Sequence, residues 1–187
     1  ISGLLFALPL LEGDSKIITT TPMESKGYID LTIDALEKFS VTVENRGFKQ
    51  FLIRGHQKYK PTSCKIEGDF SQGAFWLVAG ILGGHITCLE LNVNSLQGDK
   101  SILDIIHNMG ATPVTGFNHI KTQTSETFGT TFDASQCPDL VPAIAVLGAL
   151  SRGTTRVINA GRLRIKESDR LKAISSELSK LGADVKE

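Results

Sequence analysis

The sequence predicts an α/β fold built from a repeated unit, and three observations support this prediction. An apolar, helix-like stretch leads through a small turn into a β-branched strand three times along the chain. The turn glycines of the three copies, Gly13, Gly84 and Gly153, lie about 70 residues apart. After each strand an amphipathic helix ends in a similar way, and Gly110 and Gly182 suit the left-handed position that closes a helix. A period of this length corresponds to one helix, a strand, a second helix and a pair of strands, and is too long for a common solenoid repeat.

The elements of the three copies are predicted from apolar periodicity. The predicted helix and strand of each copy are residues 4–11 and 15–20, then 75–82 and 85–88, then 140–150 and 154–158. Trp76 lies among apolar neighbours in the second of these helices, so we predict that it belongs to the core.

Between the first and second copies the chain changes character. Residues 55–63 are polar, include Pro61 and show no periodicity, so we interpret them as a connection and place a domain crossover there. This divides the chain into residues 1–62, the end of a first domain with the connection, and residues 63–187, part of a second domain.

Composition excludes several classes of function. The chain of 187 residues is 41% hydrophobic, which is enough for a substantial core. Twenty Lys and Arg balance twenty Asp and Glu, so there is no general electrostatic footprint for nucleic acid. The longest apolar stretches fall far short of the roughly 20 residues that cross a bilayer.

Cysteine and histidine spacing predicts neither a metal site nor a redox motif. Cys64, Cys88 and Cys137 are far apart, which fits a reducing cytoplasm. The four histidines show no pairing at three or four residues, and no cofactor motif is present.

The run from Arg162 to Arg170 concentrates four cations around two carboxylates, directly before an amphipathic helix. If the run is extended, alternation places Arg162, Arg164 and Lys166 on one face. Such a cluster at a helix N-terminus predicts a site for phosphate or carboxylate groups. The alternative is structural: Ser168 caps the helix, Asp169 favours its dipole and Glu167 pairs with Lys or Arg.

The string from Arg164 to Arg170, followed by Leu171, resembles the substrate-binding motif of the EPSP synthase family. Four shorter stretches agree with the family in the same order, at residues 25–30, 67–69, 96–99 and 138–139, so the likeness covers the whole chain.

The resemblance implies a two-domain enolpyruvyl transferase fold of βαβαββ units, three to a domain. Residues 1–62 would then hold the truncated last unit of the first domain, and residues 63–187 the first two units of the second domain, the latter of them truncated. We expect further parts of the enzyme to precede Ile1 and to follow Glu187, and we expect the chain alone to be inactive.

The function implied is 3-phosphoshikimate 1-carboxyvinyltransferase activity, a step of the shikimate pathway towards chorismate and the aromatic amino acids. The enolpyruvyl group of phosphoenolpyruvate passes to the 5-hydroxyl of shikimate 3-phosphate, and phosphate leaves through a tetrahedral intermediate. The family needs no cofactor or metal, and its partners are these two small molecules. We expect a cytoplasmic enzyme, monomeric at full length, with no nucleic acid or membrane partner.

The resemblance also assigns roles to four charged residues. Lys166 matches a cation between the two substrates, and Arg170 matches a contact to phosphoenolpyruvate. Glu167 matches a carboxylate that moves the proton at the methylene carbon, and Asp139 matches the residue that accepts the proton of the attacking hydroxyl.

Ser25, Tyr28 and Arg162, together with Asp139 and Lys166, match positions that contact shikimate 3-phosphate. From the residues alone, Ser25 with Tyr28 could equally be an ordinary helix start. Asp139 after Pro138 also has the pattern of a helix start.

Two positions depart from the family pattern, and two turns keep a structural interpretation. Gly27 stands where many members have Pro, and Arg162 stands where some have Asn. For Asp69 and Asp99, in turns similar to those of the family, we predict helix capping.

Three rival functions remain open. UDP-N-acetylglucosamine enolpyruvyl transferase shares the fold and the phosphoenolpyruvate chemistry but not the Lys-Glu-Ser-Asp-Arg motif. RNA 3′-phosphate cyclase is related in fold, yet this chain has no nucleotide loop and no basic stripe. The third possibility is a folded module without catalytic activity.

Overall fold

The computed structural model describes residues 1–187 as an α/β protein that divides into two compact units. The first unit contains Ile1–Ile66 and Leu96–Gly98, and the second contains Glu67–Ser95 and Asp99–Glu187. The predicted connection, residues 55–63, forms no helix or strand. None of the helices combines the length and apolar character needed to cross a lipid bilayer.

The first unit packs two helices against one face of a three-stranded antiparallel sheet. Its elements are α1 (Ser2–Ala7), β1 (Ser15–Ile18), α2 (Lys26–Lys38), β2 (Glu44–Arg46) and β3 (Gln50–Ile53). Strand β3 is central, and its Phe51 pairs with Ile17 and Asn45 on either side. Alternation along β3 buries Phe51 and Ile53 in one cluster with Leu36 of α2.

The second unit begins with a repetition of this arrangement. Its first elements are α3 (Phe70–Gly83), β4 (His85–Leu89), α4 (Ile102–Asn108), β5 (Val114–Thr115) and β6 (His119–Gln123). The later strand of the pair is again central and antiparallel to both neighbours, with Ile120 opposite Cys88 and Thr115. The repeat predicted from the turn glycines is therefore confirmed.

The remaining part of the second unit is a strand, helix, strand and helix. These are β7 (Thr131–Asp133), α5 (Val141–Ala149), β8 (Arg156–Ile158) and α6 (Arg170–Lys180). Strands β7 and β8 pair in parallel, with Phe132 opposite Val157, so α5 is the crossover between them. Short 3-10 helices precede α5 at Pro138–Leu140 and α6 at Gly161–Ile165.

Helix α3 shows why one sequence prediction is wrong. Its buried hydrophobic side chains follow the 3.6-residue period and form one stripe, consisting of Phe70, Ala74, Leu77, Val78 and Ile81. Trp76 lies on the same helix but on the opposite face, and is 63% exposed. The prediction that Trp76 belongs to the core is therefore wrong, because apolar neighbours in sequence do not share a helix face.

Three helices end in the same hydrogen-bonded turn. Gly110 after α4 and Gly182 after α6 take left-handed conformations, at φ of 102° and 92°, which confirms the prediction for both. Ser40 after α2 takes the same conformation at φ of 65°, although it carries a Cβ atom. The bonds that close the three turns run from Val41 to Leu36, from Ala111 to Ile106 and from Ala183 to Leu178.

Candidate active site

The carboxyl ends of the parallel strands β7 and β8 lie side by side, and both lead into segments that carry charged residues. The Asn159 side chain donates to Asp133 Oδ2 at 2.8 Å and joins the two strand ends. Asp139 follows β7, and the segment that carries Lys166 follows β8. Because neighbouring parallel strands run in the same direction, their following segments meet at one edge.

Four side chains form a charged cluster at this edge, namely Asp139, Lys166, Glu167 and Arg170, which we call the Arg170 cluster. Arg170 donates from Nη1 to Asp139 Oδ1 at 2.6 Å, and Lys166 Nζ lies 3.5 Å from the same oxygen. Arg170 also donates from Nε and Nη2 to the two oxygens of Glu167, at 2.8 and 3.1 Å. One guanidinium thus holds two carboxylates that are far apart in the sequence.

Asp139 lies within the 3-10 helix that starts at Pro138, so the predicted helix start is confirmed. Its carboxylate accepts hydrogen bonds from Arg170 and Lys166 across the strand edge. The side chain is therefore directed to the charged cluster by the fold.

The segment before α6 is not extended, so the condition for placing Arg162, Arg164 and Lys166 on one face is not met. Gly161–Ile165 forms a 3-10 helix, which turns Leu163 fully into the core and leaves Ile165 83% exposed. Arg164 and Lys166 then form ion pairs with different carboxylates: Arg164 pairs with Asp169, and Lys166 pairs with Asp139. Leu163 is the one buried residue of this 3-10 helix.

The cap of α6 is Asp169, so the alternative that Ser168 caps this helix is wrong. Asp169 Oδ1 accepts the backbone N–H of Lys172 at 3.1 Å. This bond is the main cause that holds the pKa of Asp169 below its ordinary value.

Arg164 joins three parts of this segment. Its Nη1 donates to Asp169 Oδ2 at 3.0 Å, and its Nη2 lies 2.7 Å from Glu187 Oε2. Glu187 in turn accepts a hydrogen bond from Ser175 on α6 at 2.8 Å. The sequence pattern predicts Arg164 only as one cation of the motif, and the signal for its ion pair is the carboxylate of Asp169 five residues later.

The hydrogen bonds of the Arg170 cluster set its charge state. The bond from Arg170 is the main cause that holds the pKa of Glu167 below its ordinary value, and the same bond raises the pKa of Arg170. Glu167 is therefore ionised at neutral pH, and its side chain is 67% exposed, within reach of a ligand.

Ser25 and Tyr28 lie in the first unit, at the start of α2. Ser25 is the N-cap residue, but its backbone is left-handed at φ 52° and ψ 46°, and its side chain makes no cap bond. The predicted helix start is thus confirmed in position, while capping by the Ser25 side chain is wrong. Gly27 follows, and a Cβ atom there would lie 2.8 Å from backbone atoms of Leu96 and Gly98. This close approach gives a physical reason for Gly at position 27.

The remaining predicted residues have separate surroundings. Arg162 is exposed in the 3-10 helix before α6. Asp69 caps α3 by accepting the backbone N–H of Ser71 at 2.8 Å, as predicted. Asp99 does not cap a helix: it is fully buried and accepts a hydrogen bond from the Ser71 hydroxyl. The structure brings together no group of three or more His, Cys, Asp or Glu that could hold a metal ion.

The fold and the cluster define a repeat-built α/β protein with paired cations and carboxylates at the carboxyl edge of its parallel strands. The family model described as EPSP synthase (3-phosphoshikimate 1-carboxyvinyltransferase) matches residues 1–187. The chain therefore belongs to the EPSP synthase family, and the resemblance recognised in the sequence is confirmed.

Relatives and solved structures agree with this assignment. The chain is 60% identical over 187 residues to the 3-phosphoshikimate 1-carboxyvinyltransferase of Clostridium novyi, covering 100% of this chain and 43% of the relative. It is also 60% identical over 188 residues to the protein of that name from Clostridium acetobutylicum, with the same two coverages. An EPSP synthase structure from Acinetobacter baumannii matches with a TM-score of 0.76 at 23% identity, over 95% of this chain and 41% of that one. The predicted fold is therefore confirmed, and the chain spans less than half the length of these relatives.

Proposed function

We propose that this chain is part of an enzyme that transfers the enolpyruvyl group of phosphoenolpyruvate to the 5-hydroxyl of shikimate 3-phosphate and releases phosphate. The reaction would serve the shikimate pathway, which leads to chorismate and the aromatic amino acids. The names of the curated relatives support it. The observation that supports it most strongly is the Arg170 cluster, which combines cations for anionic substrates with carboxylates for proton transfer.

The cations of the cluster suit the charges of the substrates. Phosphoenolpyruvate has a phosphate and a carboxylate, and shikimate 3-phosphate adds another phosphate. Arg170 offers a planar fork for bidentate contact with one of these groups, and Lys166 offers a compact charge nearby. In the proposed reaction Lys166 lies between the substrates and stabilises charge that develops in the tetrahedral intermediate.

Asp139 and Glu167 are the proposed proton-transfer groups for the 5-hydroxyl and for the methylene carbon. In the addition step, Asp139 accepts the proton of the 5-hydroxyl as its oxygen bonds to the central carbon of phosphoenolpyruvate, and the methylene carbon gains a proton from Glu167. In the elimination step the new methyl group returns a proton to Glu167 while the bond to phosphate breaks, and the proton held by Asp139 passes to the departing phosphate. Both roles need a carboxyl group within reach of the reacting atoms.

The pairing between Arg170 and Glu167 suggests how substrate binding prepares the proton donor. In the structure the guanidinium fork holds Glu167 in its ionised form. A substrate anion that takes over this fork removes the hydrogen bonds that keep the pKa of Glu167 low, and its own charge raises that pKa further. Phosphoenolpyruvate at Arg170 would thus favour a protonated Glu167 at the step that needs it.

Shikimate 3-phosphate would also contact the first unit. Ser25 and Tyr28 supply hydroxyl groups at the start of α2, where backbone N–H groups and the helix dipole favour a phosphate. Arg162 is the further proposed contact from the second unit, beside Asp139 and Lys166. We assign the first unit to the end of one enzyme domain and the second unit to the start of the other.

The proposed setting is the cytoplasm, and the proposed enzyme is a monomer with no metal or organic cofactor. Cys64, Cys88 and Cys137 are free thiols in the structure, which fits a reducing compartment.

The experiment uses the full-length Clostridium novyi relative, which is 60% identical to this chain over the matching segment. Residues 1–187 of this chain replace that segment, and we call the product the exchange protein. The purified exchange protein is assayed for phosphate release with phosphoenolpyruvate and either shikimate 3-phosphate or UDP-N-acetylglucosamine. We expect turnover with shikimate 3-phosphate only. Turnover with UDP-N-acetylglucosamine alone would assign the chain to that rival activity, and a folded exchange protein inactive with both would support a module without catalytic activity.

A further inference from the structure

We propose that Arg164 is a positioning residue, which holds the loop from Ile165 to Ser168 so that Lys166 and Glu167 face the reacting groups. The inference rests on the proposed function, because it concerns residues that act in that reaction. Arg164 itself reaches Asp169 and Glu187 rather than the Arg170 cluster, so it acts through other residues.

Apart from the contacts of Lys166 with Asp139 and of Glu167 with Arg170, the loop has few other anchors. Leu163 is buried before it, but Ile165 is 83% exposed and adds no packing. Lys166, Glu167 and Ser168 form bends without a hydrogen-bonded turn. Neither apolar burial nor a regular backbone pattern therefore determines the conformation of this loop, and polar side-chain contacts must do so.

Arg164 closes the loop at both ends. Its Nη1 donates to Asp169 at 3.0 Å, and Asp169 in turn caps α6 through the backbone N–H of Lys172. Its Nη2 reaches Glu187 at 2.7 Å, and Glu187 is bound by Ser175 on the same helix. One planar guanidinium thus ties the start of the loop to the N-cap residue of α6 and to Glu187, which Ser175 of α6 binds, and Lys166 and Glu167 lie within the closed segment.

The exposure of these ion pairs indicates that Arg164 affects the position of the loop more than the stability of the fold. The Arg164, Asp169 and Glu187 side chains are all partly exposed, and ion pairs in such surroundings contribute little to global stability. A displacement of about 1 Å at a catalytic group can nevertheless reduce turnover by about 100-fold. Loss of Arg164 should therefore affect catalysis far more than unfolding.

The first test uses NMR on the 187-residue chain. Arg164→Gln removes both ion pairs, Arg164→Lys keeps the charge without the fork, and Asp169→Asn keeps a capping oxygen but loses its charge. We expect Arg164→Gln to speed solvent exchange of the Arg170 Nε–H, which is bound to Glu167, by roughly tenfold or more. Arg164→Lys and Asp169→Asn should give intermediate values. The control is Arg152→Gln, which removes another exposed ion pair, with Glu126, in the same unit.

The second test measures kcat and KM of the exchange protein with the same substitutions. We expect Arg164→Gln to lower kcat by about 10- to 100-fold with a much smaller change in KM, and Arg164→Lys to restore part of it. If the unsubstituted exchange protein is inactive, the proposed function fails. The NMR rates at which the Arg170 Nε–H exchanges with solvent then decide the role of Arg164. The inference would be overturned if the Arg170 Nε–H exchanged with solvent at the wild-type rate in Arg164→Gln, or if Arg152→Gln changed this rate equally. It would also be overturned if kcat of the Arg164→Gln exchange protein stayed within about twofold of wild type.

Discussion

Arg170 Nη1 and Asp139 Oδ1 are 2.6 Å apart, although the two residues are separated by 31 positions in the chain. The parallel pairing of β7 and β8 brings them together, since each residue follows the carboxyl end of one of these strands. The contact makes one arginine the shared partner of two carboxylates. Arg170 therefore contacts both carboxylates that are proposed to transfer protons, and the first two predictions below concern this cluster.

In the exchange protein, Lys166→Ala should lower turnover by about 100-fold or more, because it removes a charge that stabilises the intermediate. Asp139→Asn and Glu167→Gln should each lower turnover by about 100- to 10,000-fold, since each loses a proton-transfer group. Steady-state phosphate release gives the rates. The matched control is Lys172→Ala, an exposed lysine on α6 that should leave turnover near normal. Near-normal turnover in all three variants would return these residues to a structural role.

Arg170→Gln should raise the pKa of Glu167 towards its ordinary value, because it removes the hydrogen bonds that favour the carboxylate. In the native chain this group contributes stability above its ordinary pKa, and the contribution is lost as the pH falls through the lowered value. The measurement is an NMR titration of the side-chain carboxyl groups. Lys180→Gln, which removes an exposed pair with Glu177 on the same helix, should leave Glu167 unchanged. An unchanged Glu167 pKa in Arg170→Gln would contradict the pairing.

Ser40→Gly should stabilise the chain by about 1 kcal/mol, because Ser40 holds a left-handed conformation that disfavours any residue with a Cβ atom. The equivalent positions after α4 and α6 already have glycine. The reverse change, Gly110→Ala, should destabilise by a similar amount, and its new methyl would lie 3.2 Å from the Glu126 carbonyl oxygen. Urea unfolding followed by circular dichroism measures both changes. A destabilised Ser40→Gly protein would show that the Ser40 side chain contributes more than its strain costs.

Two glycines of α3 should respond oppositely to alanine. A Cβ atom at Gly80 would lie 2.2 Å from Oγ1 of Thr122, whose hydroxyl is committed to the Leu77 carbonyl at 2.9 Å. Gly80→Ala should therefore destabilise by about 1 to 3 kcal/mol, as overpacking does. Gly83 has open space around its Cα, so Gly83→Ala should be neutral or stabilising by up to about 1 kcal/mol. Equal unfolding midpoints for the two variants would contradict the packing described for α3 and β6.

The 187-residue chain alone should fold but release no detectable phosphate from the two substrates. Each unit has its own buried cluster, which supports folding. The relatives that bear the activity in their names are more than twice as long as the matched segment, and catalysis depends on many groups held together. A phosphate-release assay and circular dichroism on the same sample test this prediction. Turnover comparable to that of an intact relative would show that the chain contains a complete site.

Several features of the fold could be predicted because they depend on local sequence patterns. The three copies are marked by apolar periodicity, and the left-handed ends at Gly110 and Gly182 are marked by a residue that tolerates positive φ. The helix start at Pro138 and the Asp69 cap are likewise local. Trp76 shows the limit of this reasoning, because membership of a helix does not tell which face a residue occupies.

The helix-rich repeat, the family and the residues of the charged motif could be predicted from the sequence, since these are properties of residue order and spacing along the chain. Which charges meet depends on the three-dimensional fold. Leu163 is buried in a 3-10 helix that covers the start of the motif, and the parallel strands bring Asp139 to Arg170 across 31 positions. The physical reason is that ion-pair partners follow from distance in space, and strand pairing and burial set this distance between residues that are remote in the sequence.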